Sequence, residues 1–120
     1  MPYHKLDVFK KSYVLALELH RLSLNFPKLE QYELAQQLRK SSKSIPANIA
    51  EGMGKQESHA DVRRFTRIAI GSCDESRVWI EFAADLGYIP KPQQREFDER
   101  YKEIGRMLQG IIKRYSKSGI

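Results

Sequence analysis

Apolar residues return every three or four positions along most of the chain, the period of an α-helix with one buried side. Three clusters of turn-forming residues interrupt that period: Asn25-Phe26-Pro27, Gly52-Met53-Gly54-Lys55-Gln56-Glu57 and Gly87-Tyr88-Ile89-Pro90-Lys91-Pro92. Glycine and proline between periodic segments mark turns, which predicts four helices at about residues 7–25, 30–51, 58–87 and 92–116. Ser58 with Asp61 three residues on resembles a capping box. Pro92 suits a first helical turn, where its missing N–H costs nothing. No stretch alternates with period two, so no strand is predicted. Short links between long amphipathic helices make neighbours antiparallel. The prediction is an all-α, up-down-up-down four-helix bundle, with residues 1–120 forming one domain.

Advancing about 100° per residue sorts each helix into faces. The fourth helix gathers Phe97, Tyr101, Ile104, Leu108, Ile111 and Tyr115 on one side, and the second gathers Leu34, Leu38, Ser41, Ile45 and Ile49. Pro46 lies inside the second helix and predicts a kink near residues 42–46, because one i→i−4 bond is missing there. The third helix aligns Phe65, Ile68, Ala69, Ser72, Ser76, Trp79, Ala83 and Leu86, and its small residues Ala69, Gly71, Ser72 and Ser76 invite a close neighbour. The first helix is apolar on two opposite sides. Leu6, Phe9, Tyr13, Leu17, His20 and Leu24 read as the core face, which leaves Val8, Leu15, Leu19 and Leu22 as a second stripe expected to face another copy of the chain.

Composition narrows the function classes. The 120 residues are 41% apolar and 30% charged, a globular rather than disordered balance. No apolar run is long enough for a membrane span. The N-terminal Met1-Pro2-Tyr3-His4-Lys5 lacks a signal-peptide apolar core. The one cysteine, Cys73, excludes an internal disulfide, so a cytoplasmic location is expected. The formal net charge is +6, and residues 91–120 carry eight Lys and Arg against four acids. Arg95, Lys102, Arg106, Lys113 and Lys117, spaced 7, 4, 7 and 4 apart, form a stripe facing away from the fourth helix's apolar side. Such a stripe is either a solvated face or a contact surface for RNA or DNA. With Tyr101 and Tyr115 on the core side, contact would be made to phosphates and would ignore sequence.

Catalytic constellations are missing. There is no phosphate-binding loop, no Gly-x-Ser-x-Gly and no CxxC pair, and no Glu-x-x-His motif for a di-metal site. His4, His20 and His59 are scattered, and Cys73 has no neighbouring histidine to activate it. No catalytic residue, metal or cofactor is therefore expected. Asn48 and Glu51, with Pro46 and Gly52, read as structural: the two polar side chains are expected to bond backbone groups freed by the proline or by the helix end.

The run Gln37-Leu38-Arg39-Lys40-Ser41-Ser42-Lys43-Ser44-Ile45-Pro46-Ala47-Asn48-Ile49-Ala50-Glu51-Gly52, preceded by Phe26-Pro27-Lys28 and Tyr32, resembles the bacterial 23S rRNA intervening-sequence proteins, a four-helix-bundle family. Leu6-Asp7-Val8-Phe9 and Ile68-Ala69-Ile70-Gly71-Ser72 with Glu75 fit as well, so the resemblance spans about residues 6–90. The chain departs from that pattern at Glu33-Leu34, at Ser41-Ser42-Lys43 and at Ser76, where Gly-Leu, small apolar residues and Leu are expected in turn. The resemblance implies a helical bundle, homopentamer assembly and no catalytic residues. It extends distantly to the accessory variability-determinant proteins of diversity-generating retroelements, which are basic pentamers partnering a reverse transcriptase and nucleic acid. The expected partners are thus other copies of the chain, RNA or DNA, and a reverse transcriptase or other operon partner. The reading that follows is a non-enzymatic oligomeric bundle with weak, sequence-independent RNA or DNA binding. A structural or protein-interaction module with no nucleic-acid role is the alternative.

Overall fold

Ser58 accepts a hydrogen bond from the Asp61 backbone N–H at 3.2 Å, satisfying one of the donors that a helix start leaves free. This cap opens the longest helix of the computed structural model, which describes residues 2–116. Four helices are present, α1 (Asp7–Ser23), α2 (Leu34–Met53), α3 (His59–Asp85) and α4 (Lys91–Arg114), with single 3-10 turns at Tyr3–Lys5 and Lys28–Glu30. No strand occurs among the described residues. The sequence places the start of α2 four residues early, because the Lys28–Glu30 turn follows Pro27 and α2 begins only where Glu30 accepts from the Leu34 N–H at 3.3 Å.

The helices form an antiparallel up-down-up-down bundle, 48 × 23 × 20 Å, in which each packs on its chain neighbours and α4 returns more sparsely to α1. Gly87, at φ +83°, turns the chain between α3 and α4. Its N–H bonds the Ala84 carbonyl (3.0 Å) while the Tyr88 N–H bonds that of Ala83 (2.8 Å), a paired closure that a left-handed residue permits. Arg39 holds the α1–α2 connection, donating to the Ser23 hydroxyl (2.9 Å) and to the Gln31 carbonyl (2.7 Å).

The predicted faces of α2 and α4 are the buried ones: Leu34, Leu38, Ser41, Ile45 and Ile49, and Phe97, Tyr101, Ile104, Leu108 and Ile111. In α1 the two faces exchange roles. Val8, Leu15 and Leu19, assigned from sequence to an interface between copies, are core residues at 4%, 0% and 0% exposure, and Leu22 packs half-buried against them. Tyr13, Leu17 and Leu24 are exposed instead. The cause is a pair of serines that complete the inward stripe. Ser12 and Ser23 are buried because each hydroxyl donates to a carbonyl of its own helix, that of Phe9 (3.0 Å) and His20 (2.7 Å). In α3 the buried stripe is rotated toward Val62, Thr66, Cys73 and Ile80, leaving Ile68 and Leu86 exposed.

Pro46 is buried and α2 runs through it without a break. Asn48 does bond backbone, but its amide donates to the Ser44 carbonyl (2.8 Å) and hydroxyl (2.9 Å), not to the carbonyl at position 42 that the proline leaves unpaired. Glu51 bonds no helix-end group. It points outward and pairs with Lys55 at 3.8 Å. Gly52 is where α2 and α3 come close, since a Cβ there would meet the Phe65 Cβ at 3.3 Å.

Two hydroxyl pairs join α2 to α3, Ser41 with Ser76 (2.8 Å, buried) and Ser44 with Ser72 (2.9 Å). Ser41→Ala should cost about 1–3 kcal/mol by stranding a buried hydroxyl, while Ser41→Ala with Ser76→Ala should cost less than the two single changes summed. Denaturant unfolding of the three variants measures this. Leu19→Ala should cost about 2–5 kcal/mol as a buried truncation. Leu19→Glu should unfold the chain, read as loss of far-ultraviolet helicity, instead of releasing a folded monomer.

Candidate functional site

The fourth helix turns Arg95, Lys102, Arg106 and Lys113 outward, opposite its buried stripe; Lys117 lies outside the described residues. What gives this face its character is the placement of the acids. Glu103 reaches Lys11 of α1 (3.4 Å), and Glu96 lies 3.7 Å from Arg100. Asp98 accepts from Arg77 of α3 (2.7 Å), and both Asp98 and Glu99 lie 3.4 Å from Lys102. All four carboxylates of α4 therefore face a cation. Lys102 is matched, whereas Arg95, Arg106 and Lys113 have no carboxylate within 4.0 Å among the described residues. Glu103 is turned to α1 and Glu99 to Lys102 alone, so neither reaches Arg95, Arg106 or Lys113.

Two cross-helix ion pairs fix the orientation of α4. Arg100 grips both Glu18 oxygens across the α1–α4 seam, one of them at 3.0 Å, and Arg77 grips Asp98 across the α3–α4 seam. The Arg100 hydrogen bond holds the Glu18 carboxyl below the usual carboxylate range, against the raising effect of burial. Burial acts to raise Asp98, but the bonds and charges of Arg77 and Lys102 outweigh it and leave that carboxyl lowered as well.

A second basic cluster went unnoticed in the sequence. Lys43 donates to His20 Nδ1 at 2.9 Å, and burial together with the charges of Lys43, Arg39 and Arg21 lowers the His20 pKa. The signal was present as Arg39, Lys40 and Lys43 within five residues, masked by reading His20 as a core residue. Of these, His20 and Lys43 close one end of an apolar groove of about 510 Å³ between α1 and α2, walled by Phe9, Tyr13, Leu17, Ala47 and Ala50.

No group of three or more His, Cys, Asp or Glu among the described residues is arranged to hold a metal ion. No helix there is long and apolar enough to cross a membrane. Cys73 sits in the core at 2% exposure, and burial pushes its thiol up to about 12, far from a nucleophile's range. His59 lies at the start of α3 in an edge-to-face arrangement with Tyr115, ring centres 4.8 Å apart.

These features define an all-α bundle whose distinguishing chemistry is on its surface. The chain matches the family model of the 23S rRNA-intervening sequence protein over residues 4–110 and belongs to that family. The match reaches into α4, beyond the residues that carry the resemblance in the sequence. A crystal structure described as a protein of unknown function from the S23 ribosomal protein family of Bacteroides thetaiotaomicron superposes with a TM-score of 0.78 at 28% identity, covering 88% of this chain and 98% of that one. No curated protein matches the chain in sequence.

The lowered Glu18 and Asp98 carboxyls stabilise the fold fully above the unfolded carboxylate range near pH 4, and that contribution is lost as pH falls through their folded values. Thermal stability should therefore drop on acidification below about pH 4. Glu18→Gln should lower stability at pH 7 by about 1 kcal/mol or less, since both partners are partly solvated, and should flatten the acid dependence. Calorimetry across pH 3–7 of parent and variant reads both.

Proposed function

We propose that the protein is a non-enzymatic, self-associating helical bundle that binds RNA or DNA weakly through phosphate contacts on the outer face of α4. The observation that carries this reading is the uncompensated charge of Arg95, Arg106 and Lys113 on a helix whose every acid is engaged elsewhere. Guanidinium and ammonium groups in that state attract a phosphate backbone without competition from neighbouring carboxylates. No aromatic ring shares that face to stack on bases, so affinity would depend on charge and not on sequence. Self-association would repeat the stripe on one rigid body and add avidity without new contacts. Family resemblance favours five copies.

A specific observation favours a second reading. The exposed apolar groove between α1 and α2 fits a protein-interaction module with no nucleic-acid role, and the two readings part at low salt. Under the first, binding to an unstructured RNA is measurable at low ionic strength and weakens steeply with added salt. Removing each residue that contacts phosphate should reduce the log–log salt slope by about 1. Arg106→Glu with Lys113→Glu should abolish binding and leave helicity and melting unchanged, because both side chains are exposed. Fluorescence anisotropy across a salt series measures it: absence of binding by the parent at low salt would support the second reading, and equal affinity of parent and variant would show that the stripe is only a solvated face.

A further inference from the structure

Two groups of exposed apolar side chains on this bundle have borders of opposite charge. One is the α1–α2 groove, where Tyr13 is 50% and Leu17 39% exposed above the small floor of Ala47 and Ala50. Its border is cationic: Lys43 and His20 close one end, with Lys40 beside them. Arg39, behind them, is bonded only to neutral groups of Ser23 and Gln31, so its charge is not cancelled.

The other patch is a ridge on α3. Val78, Phe82 and Leu86 are 45%, 51% and 53% exposed, and Trp79 packs its ring 5.9 Å from that of Phe82. At about 100° per residue the exposed Asp74, Glu81 and Asp85 fall within about 40° of one another along one edge of this ridge. Between residues 74 and 86 four acids stand against one base, Arg77, which Asp98 holds and which also lies 3.7 Å from Asp74; Asp85 pairs with Lys91 at the start of α4, and Glu81 has no cation within 4.0 Å among the described residues.

We infer that groove and ridge are the two halves of one contact between copies of this chain, the α3 ridge of one copy seating in the α1–α2 groove of the next. The inference rests on the self-association proposed above and names the surfaces that make it. Charge decides the pairing. Groove against groove would oppose two sets of Lys43 and Lys40, and ridge against ridge two sets of Asp74, Glu81 and Asp85. Either arrangement desolvates like charges, whereas groove against ridge covers apolar surface inside a rim of opposite charges. Because the two halves are different surfaces of one chain, the contact is head-to-tail, and such contacts close into rings when the rotation allows.

Mixing tests this directly. A groove-blocked chain (Leu17→Lys, Ala47→Lys) and a ridge-blocked chain (Val78→Lys, Phe82→Lys) should each be monomeric by light scattering and keep the parent's helical spectrum. Mixed in equal amounts they should form a dimer of twice the chain mass and nothing larger, because only one groove and one ridge survive and the blocked surfaces repel. A mixture that stays monomeric overturns the pairing. Blocked chains that still assemble like the parent place the contact elsewhere while leaving self-association standing; a parent that is monomeric at micromolar concentration removes both. A charge exchange confined to exposed side chains guards against misfolding. Lys40→Glu with Lys43→Glu, and separately Asp74→Lys with Glu81→Lys, should each weaken assembly about tenfold or more, and all four together should restore it. Failure of the combined variant to recover would overturn the proposal.

Discussion

The close approach of α2 and α3 is the constraint from which the rest of the bundle follows. Ser41 meets Ser76, Ser44 meets Ser72, and Gly52 leaves just enough room for Phe65. Small side chains bring the two backbones together, and each of these four hydroxyls finds its partner on the other helix. Pairs spaced three and four residues apart along both helices fix the rotation of α2 as well as its register. With that rotation set, Leu38, Ile45 and Ile49 point to the centre, while Pro46, Ala47 and Ala50 are left as the smooth wall on which α1 lies.

Serine also explains what the sequence made legible and what it did not. Where a helix carries one apolar stripe, as α4 does, its buried face is readable directly. The first helix carries two, and a count of hydrophobicity favours Phe9, Tyr13 and Leu17 over a stripe interrupted by Ser12 and Ser23. That count treats a hydroxyl as polar although, inside a helix, it is satisfied by a carbonyl one turn back and enters the core at little cost. Small residues on this stripe, Ser12, Ala16 and Ser23, let α1 settle close to α2, which the aromatic face would not. The departures from the family pattern at Ser41 and Ser76 have a common explanation in the structure, since each is the other's partner.

The candidate basic face was legible as a set of positions but not as an electrostatic state. Spacing alone puts Arg95, Lys102, Arg106 and Lys113 on one side. Whether they are neutralised depends on where four carboxylates turn, and three of those carboxylates are set partly by other residues: Glu103 by Lys11 on α1, Asp98 by Arg77 on α3, and Glu96 by an arginine already committed to Glu18. Contacts between residues up to 92 positions apart, as Lys11 and Glu103 are, have no local signature. The same holds for the groove, whose walls come from α1 and α2 and whose cationic end is Lys43, bonded to His20 across 23 residues.

The order of helices around the bundle makes the two proposed surfaces compatible. α4 packs on α3 and, sparsely, on α1, which places α2 across from it. The groove is formed by α1 and α2, and the ridge lies on the outer side of α3, where Asp74 lies beside Arg77 and Asp85 pairs with Lys91 at the start of α4. A copy seated there as proposed would cover apolar surface and set the acids of α3 against the bases of α2, so that those acids no longer oppose the field of α4. What remains in solvent is the α4 face, where Arg95, Arg106 and Lys113 stand without carboxylates. Arg95, Arg106 and Lys113 line neither the groove nor the ridge, so the proposed contact would leave them open on every copy, and the proposed assembly and phosphate binding would draw on different side chains.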